Sequence, residues 1–331
     1  MRALVALLTL ALLACSGETA RRTPARSSSA SARIAAASVA SEEPAPTLSS
    51  ASSSSSPPPA LDPEPLDPAI AGQIHAPPAI DAGARYPFVL FLHGLGGTGR
   101  SFAAGLGVEK LAAAKQFFWA APDGAMDKKK RLFWSATAGC CDFDHTGVDH
   151  VASLGALIRQ ARRTPGIDPG RVFVIGFSNG AFMAHRLGCS VPGIAGIVSV
   201  AGAAPTEGTC APEAPVVVLE IHGDADKAVR FEGGHVLDLS DVPEHRSVEG
   251  TMGVWATANG CSGPMKEEGQ LDLMAGLGGA ETRDLRFPKC RAPVALWRVV
   301  GGDHFVATSR SALDQIWAFL ASASTATSKS H

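Results

Sequence analysis

Three short segments set reactive side chains beside glycine in the way acyl-transfer chemistry needs. Residues 176–180 read Gly-Phe-Ser-Asn-Gly, residues 222–226 His-Gly-Asp-Ala-Asp, and residues 301–304 Gly-Gly-Asp-His. A serine hydroxyl is a weak nucleophile until a base takes its proton, and an imidazole base needs a buried carboxylate to fix its tautomer. A Gly-x-Ser-x-Gly run makes a tight strand-to-helix turn that lifts the hydroxyl above the sheet. Ser178 is therefore the expected nucleophile, His304 the base and Asp226 the carboxylate, with Asp224 as the alternative acid. Asp226 is preferred because the loop must leave its strand before turning towards the histidine. The amide of Asn179 heads the following helix, where free N–H groups favour developing negative charge.

A fourth segment, His93-Gly-Leu-Gly-Gly97, follows an apolar run. In hydrolases with such a loop the amide after His-Gly, here that of Leu95, is the second oxyanion donor, and His93 braces the loop. The same glycines fit two phosphate-binding patterns. Residues 94–99 match Gly-x-Gly-x-x-Gly, and residues 94–101 match a P-loop except that Arg100 replaces its Lys. Neither pattern explains the Ser, Asp and His that follow other strands, so no cofactor is expected.

These segments need elements to position them. Apolar, β-branched runs recur at 88–92, 117–120, 171–177, 194–201, 216–221 and 295–300, and helical periodicity is present over 148–163, 179–187, 248–258 and 309–320. Fully apolar strands alternating with helices predict a mostly parallel central sheet covered by helices on both faces, the α/β class. In such sheets chemistry lies beyond the C-terminal ends of the strands, which is where all four segments fall. The order Ser, Asp, His along the chain is that of the α/β-hydrolase fold.

From about residue 75 to 322 the chain resembles the secreted polyhydroxybutyrate depolymerase and feruloyl esterase group, which is related to carbohydrate esterase family one. The residues that carry the resemblance are the four segments above together with Pro122-Asp-Gly124, Trp134 with Cys140-Cys141, Val148-Asp149 and Asn259-Gly-Cys261. It implies a serine carboxylesterase with Ser178, Asp226 and His304 as its triad and Leu95 and Asn179 as its oxyanion pair. Two positions depart from the group: His150, where an Asp usually follows Asp149, and Asp224, where an uncharged residue is common. Both bear on substrate contacts more than on the chemistry. Feruloyl, acetyl and hydroxyalkanoate esters all suit such a site. Two further readings stay open: a non-catalytic relative that binds a cell-wall or storage polymer, and a serine peptidase or acyltransferase.

The remaining sequence sets the surroundings. With 29 basic and 31 acidic residues there is no pervasive basic face, and nucleic acid is not an expected partner. Residues 1–14 have the short charged and apolar regions of an export signal. They run into Leu12-Leu13-Ala14-Cys15, a lipobox-like sequence that predicts lipidation of Cys15 and anchoring at the cell envelope, at the outer membrane in a diderm host, with a secreted form as the alternative. Of the 55 residues in 16–70, 35 are Ser, Ala or Pro, so a disordered tether over 15–70 is expected before a catalytic domain over 71–322 and a disordered tail over 323–331. The other six cysteines, Cys140, Cys141, Cys189, Cys210, Cys261 and Cys290, are an even count that suits disulfides in an exported domain. Cys261 with Cys290 is the favoured pair, and the other four are expected to pair among themselves, Cys140 and Cys141 with separate partners. Asp142, Asp144, His145, Asp149 and His150 offer possible cation ligands but no repeated ligand spacing. They are expected to form a solvated rim loop, with no metal.

Overall fold

The computed structural model describes residues 73–274, 276–306 and 310–327. The signal segment 1–14, Cys15 and the tether to residue 70 lie outside the described residues. In chain order the elements are β1 (Tyr86–Leu92), α1 (Gly99–Leu106), α2 (Val108–Lys115), β2 (Phe118–Ala120), β3 (Ala125–Met126), β4 (Leu132–Phe133), α3 (His150–Arg163), β5 (Ile167–Phe177), α4 (Asn179–Ser190), β6 (Gly196–Val200), β7 (Val217–Gly223), α5 (Val248–Ala258), β8 (Lys266–Leu271), β9 (Thr282–Arg286), β10 (Val294–Val299) and α6 (Arg310–Thr327). Eight strands form one sheet in the order β2-β1-β5-β6-β7-β10-β9-β8. Pairing is parallel from β2 through β10, whereas β9 runs antiparallel to both of its neighbours.

Alternation along the strands divides the apolar side chains between two cores. Phe88, Leu90 and Leu92 of β1 point to the face covered by α3, α4 and α5, where Leu157, Phe182 and Trp255 pack against them. Val89 and Phe91 point to the other face with Leu106, Leu111 and Ile316 from α1, α2 and α6. Because both faces are covered, the central strands read as unbroken apolar runs rather than alternating ones. No helix among the described residues is long and apolar enough to cross a membrane.

Three features depart from the sequence reading. Strands β8 and β9 extend the sheet where no strand is expected. The sequence of β8, KEEGQL, is almost entirely exposed and has no apolar periodicity, so backbone pairing to β9 holds it at the edge. Helix α6 continues to Thr327, which corrects the expected tail over residues 323–327: the alanines there suit continuation of an existing helix, since propagation is easier than nucleation. The third departure is in the cysteines. Cys261 bonds Cys290 and Cys189 bonds Cys210, but Cys140 and Cys141 bond each other. Their peptide bond is cis and their Cα atoms are 3.0 Å apart.

Asn259, at the end of α5, ties the starts of two strands together. Its Oδ1 accepts the Val216 N–H at 3.2 Å, and its Nδ2 donates to the Val216 and Ala292 carbonyls at 2.6 and 3.2 Å. The side chain is buried, so its removal strands several polar groups without water. Asn259→Ala is expected to lower stability by about 2–4 kcal/mol. Urea unfolding followed by tryptophan fluorescence checks this.

Candidate active site

Ser178 follows β5 and precedes α4, at φ 53° and ψ −119°. A non-glycine residue in this region is strained and persists only where its surroundings hold it. Its N–H donates to the carbonyl of Val200 on β6 at 2.8 Å, and its carbonyl accepts from Ala181 and Phe182 in the first turn of α4. The turn also needs Gly180, because a Cβ there would overlap the carbonyl oxygen of Leu92 at the end of β1. Strand, strain and helix together leave the Ser178 hydroxyl half-buried at the C-terminal edge of the sheet.

The acid and the imidazole arrive from β7 and β10. These strands pair in parallel from Val218 with Val294 to Gly223 with Val299. Beyond them, a Cβ on Gly223 would overlap the carbonyls of Gly302 and Asp303, so the bare glycine lets the two loops close on each other. Asp224 fastens the β10 loop by accepting from Gly301 N–H at 2.7 Å and pairing with Arg298 at 3.0 Å. Two residues on, Asp226 is buried, and its Oδ1 accepts the Ala228 and Val229 N–H groups. Its Oδ2 lies 2.7 Å from His304 Nδ1, and His304 Nε2 lies 2.9 Å from Ser178 Oγ. The three predicted residues thus meet in one hydrogen-bonded chain, and Asp224 stands apart from it as a loop anchor.

Electrostatics favour an ionised acid. Burial raises the Asp226 pKa, but hydrogen bonds from His222, His304 and Val229 outweigh it and hold the carboxyl well below the usual carboxylate range. His222 shows the converse. Burial disfavours its charge, yet hydrogen bonds to Asp226 and Glu220 push it up to about 9.

The glycine loop runs past the serine, with the Cβ position of Gly94 only 3.3 Å from that of Ser178. Its amides are largely committed: Gly96 N–H donates to Leu132, Gly97 N–H to Gly94, and Gly99 N–H to the Asp123 carboxylate at 2.7 Å. An acid at the head of α1 occupies the place a phosphate would need, which disfavours both phosphate-binding patterns. Neither the Leu95 N–H nor the Asn179 N–H has a protein acceptor among the described residues. His93 donates from Nδ1 to Gly94 and accepts the Gly124 N–H at Nε2, so it is a neutral brace.

The Asn179 side chain does work that the motif does not reveal. Fully buried, it accepts the Trp134 N–H at 2.7 Å and donates to the Trp134 carbonyl and to Cys140 Sγ. Trp134 in turn donates its indole N–H to the His93 carbonyl at 3.0 Å. One side chain thereby docks the Cys140-Cys141 segment against both the serine turn and the glycine loop. The acidic stretch that follows is spent on itself. Asp142 accepts from Thr146 and Gly147, Asp144 accepts from Lys128, and Asp149 caps α3. The ring nitrogens of buried His150 lie 3.1 Å from the Ala125 N–H and 2.9 Å from the Ser135 N–H, of which a neutral imidazole can accept one. Burial raises the Asp142 pKa, but the hydrogen bonds from Thr146 and Gly147 outweigh it and hold the carboxyl below its ordinary value. Among the described residues no cluster of His, Cys, Asp and Glu could hold a metal ion.

A cavity of about 1180 Å³ lies among residues of α1, α2 and α3 with His75, Trp119 and Asp123 in its lining. Ser178, Asp226 and His304 do not line it, so the reacting atoms rather than this void locate the site. Beside His304 are two aromatic rings that sequence reasoning did not single out. Phe177 lies 5.2 Å and Phe305 5.5 Å from the imidazole centroid, and the rings are 5.7 Å from each other. Phe305 is 61% exposed, which is unusual for so large an apolar side chain and could have been flagged only once its neighbours were known.

Residues 81–238 match the family described as Phospholipase/Carboxylesterase. A protein named "Putative esterase NocK" from Nocardia uniformis subsp. tsuyamanensis is 32% identical over 166 residues, covering 49% of this chain and 47% of its own. Feruloyl esterase B from Piromyces equi is 26% identical over 196 residues, covering 55% of this chain and 34% of its own. The chain thus spans about half or less of the length of these curated relatives. Among solved structures, an acetyl xylan esterase from Aspergillus awamori superposes with a TM-score of 0.55 at 16% identity, over 74% of this chain and 93% of that one. The parallel sheet, its helices on both faces and this structural likeness give the chain the α/β-hydrolase fold.

Proposed function

We propose that this chain is an exported serine carboxylesterase. The observation that carries the reading is the chain of contacts from Ser178 Oγ to His304 Nε2 at 2.9 Å and from His304 Nδ1 to Asp226 at 2.7 Å. In the mechanism, His304 takes the Ser178 proton as Oγ attacks the ester carbonyl. The Leu95 and Asn179 amides stabilise the oxyanion, and His304 then gives the proton to the departing alcohol. Water, activated by the same imidazole, releases the acid from the acyl-serine. Asp226 stays ionised and fixes the tautomer of His304, and no step calls for a cofactor. Ester-named relatives support the reaction class.

What stands beside the base supports one substrate class over others. Phe177 and exposed Phe305 present an apolar, aromatic wall to whichever group is bound next to His304. That wall suits a hydroxycinnamoyl or other bulky acyl group better than acetyl, in keeping with the feruloyl esterase relative. Acetylated polysaccharide and hydroxyalkanoate esters are the competing substrates. Export is supported by the signal-like residues 1–14 and by three disulfides among the described residues. Cys15 is the proposed site of lipid attachment, and palmitate labelling that is lost in Cys15→Ser tests it.

Three outcomes test the esterase reading. Ser178→Ala should lower kcat/KM for p-nitrophenyl butyrate by about 10⁴-fold or more while the melting curve stays unchanged, and retained turnover would refute the assignment. Because Asp226 remains ionised, the acid limb of kcat/KM should fall with the uptake of a single proton as pH is lowered. A slope of two would mean that the acid titrates as well. Phe305→Ala should lower kcat/KM for methyl ferulate about tenfold more than for an acetyl ester, read from a substrate panel that includes hydroxybutyrate oligomers.

A further inference from the structure

Behind Asp226 lies a second set of charged groups that the reaction does not use directly. Glu220 of β7 is fully buried, as are His185 of α4 and His222 at the end of β7. Glu220 Oε2 is 3.0 Å from His185 Nε2, and Oε1 is 3.0 Å from His222 Nδ1 and accepts the Gly202 N–H at 3.4 Å.

Donor and acceptor chemistry assigns the protons. The Trp255 indole N–H, which can only donate, points at His185 Nδ1 at 2.8 Å. His185 is therefore neutral, with its proton on Nε2, and donates to Glu220. The Val229 carbonyl, which can only accept, lies 2.8 Å from His222 Nε2, so that nitrogen carries a proton. The other nitrogen of His222 faces a carboxylate that already takes N–H donors from His185 and Gly202. Such donors favour the carboxylate anion, and the remaining proton belongs on His222 Nδ1. His222 Nε2 also stands 3.4 Å from Asp226 Oδ2, the oxygen that holds His304.

We propose that His222 is a buried imidazolium, held by Glu220, that serves as a positioning residue for the reacting histidine by keeping Asp226 ionised and its Oδ2 turned to His304. In the resting state Glu220, His222 and Asp226 then sum to one negative charge, which is cancelled when His304 takes the Ser178 proton. Without the cation two carboxylates would share one dry region, and like charges there resist ionisation together. Among the described residues, His245 and Arg298 also lie near this cluster. His245, buried in the loop before α5, donates from Nδ1 to the Arg246 carbonyl, and burial favours its neutral form. Arg298 of β10 is engaged by Asp224 and lies over the Phe231 ring, whose edge-to-face partner is His222.

The proposal rests on the esterase reading for its kinetic consequence but not for its protonation state, and the test separates the two. Nitrogen NMR of the full chain labelled in histidine, with His222 assigned through its backbone, reads the ring directly. Both His222 nitrogens should be protonated between pH 6 and 8, and a neutral ring with one bare nitrogen overturns the proposal whether or not the chain hydrolyses esters. In His222→Gln, Glu220 and Asp226 face each other without the cation, so Asp226 should take up a proton more readily and the acid limb of kcat/KM should steepen from a slope of one towards two. A folded variant whose limb keeps a slope of one overturns the positioning role. Should the variant fail to fold, the NMR measurement on the natural chain still decides.

Discussion

The backbone of Ser178 is held at a positive φ by three elements at once: β5 leads into it, β6 accepts its N–H, and α4 hydrogen-bonds to its carbonyl. Strain of this kind costs on the order of 1–3 kcal/mol and survives only where the surroundings determine it. The surroundings here are the parallel strands themselves. Their common direction sends the ends of β1, β5, β7 and β10 to one edge, so the glycine loop, serine, acid and histidine share a margin although 126 residues separate Ser178 from His304. Close approach completes the arrangement, since Gly180 lies against the end of β1 and Gly223 against the loop after β10.

Around this edge the buried polar groups form a graded series. Asp224 is partly exposed and fastens a loop, Asp226 is buried and holds the imidazole, and Glu220 is fully enclosed with two histidines. An unpaired carboxylate at such depth would be severely destabilising, which explains why Glu220 is met by donors on both oxygens. On the opposite side of the serine, Asn179 and Trp134 join the turn to the glycine loop through side chain and backbone. The site is thus braced from two directions, by charge behind the acid and by neutral hydrogen bonds beside the nucleophile.

Much of this is legible in sequence because it depends on local chemistry. The apolar runs of β1, β5, β6, β7 and β10 announce strands covered on both faces, and the small residues flanking Ser178 announce the turn. The choice of Asp226 over Asp224 follows from how far a loop must travel to leave its strand, and the observed hydrogen bonds have that form. What escapes depends on partners remote in the chain. Strand β8 is polar, and only its pairing with β9 defines it. The bond between Cys140 and Cys141 needs a backbone geometry that residue types do not encode. Glu220 lies inside an apolar strand run, where nothing local points to His185 or Trp255 as its neighbours. Phe305 reads as any residue after the histidine until Phe177 is found against it.

The central claim is that one serine hydroxyl, at residue 178, is chemically activated by the imidazole at residue 304. Treatment with a fluorophosphonate reagent followed by peptide mass spectrometry tests this most directly, because an activated Oγ displaces fluoride and keeps the phosphonyl group. The account predicts one adduct per chain, on the peptide containing Ser178, and none when His304 is replaced by alanine. An unmodified Ser178 in folded protein, or an adduct that forms equally well without the imidazole, would contradict it.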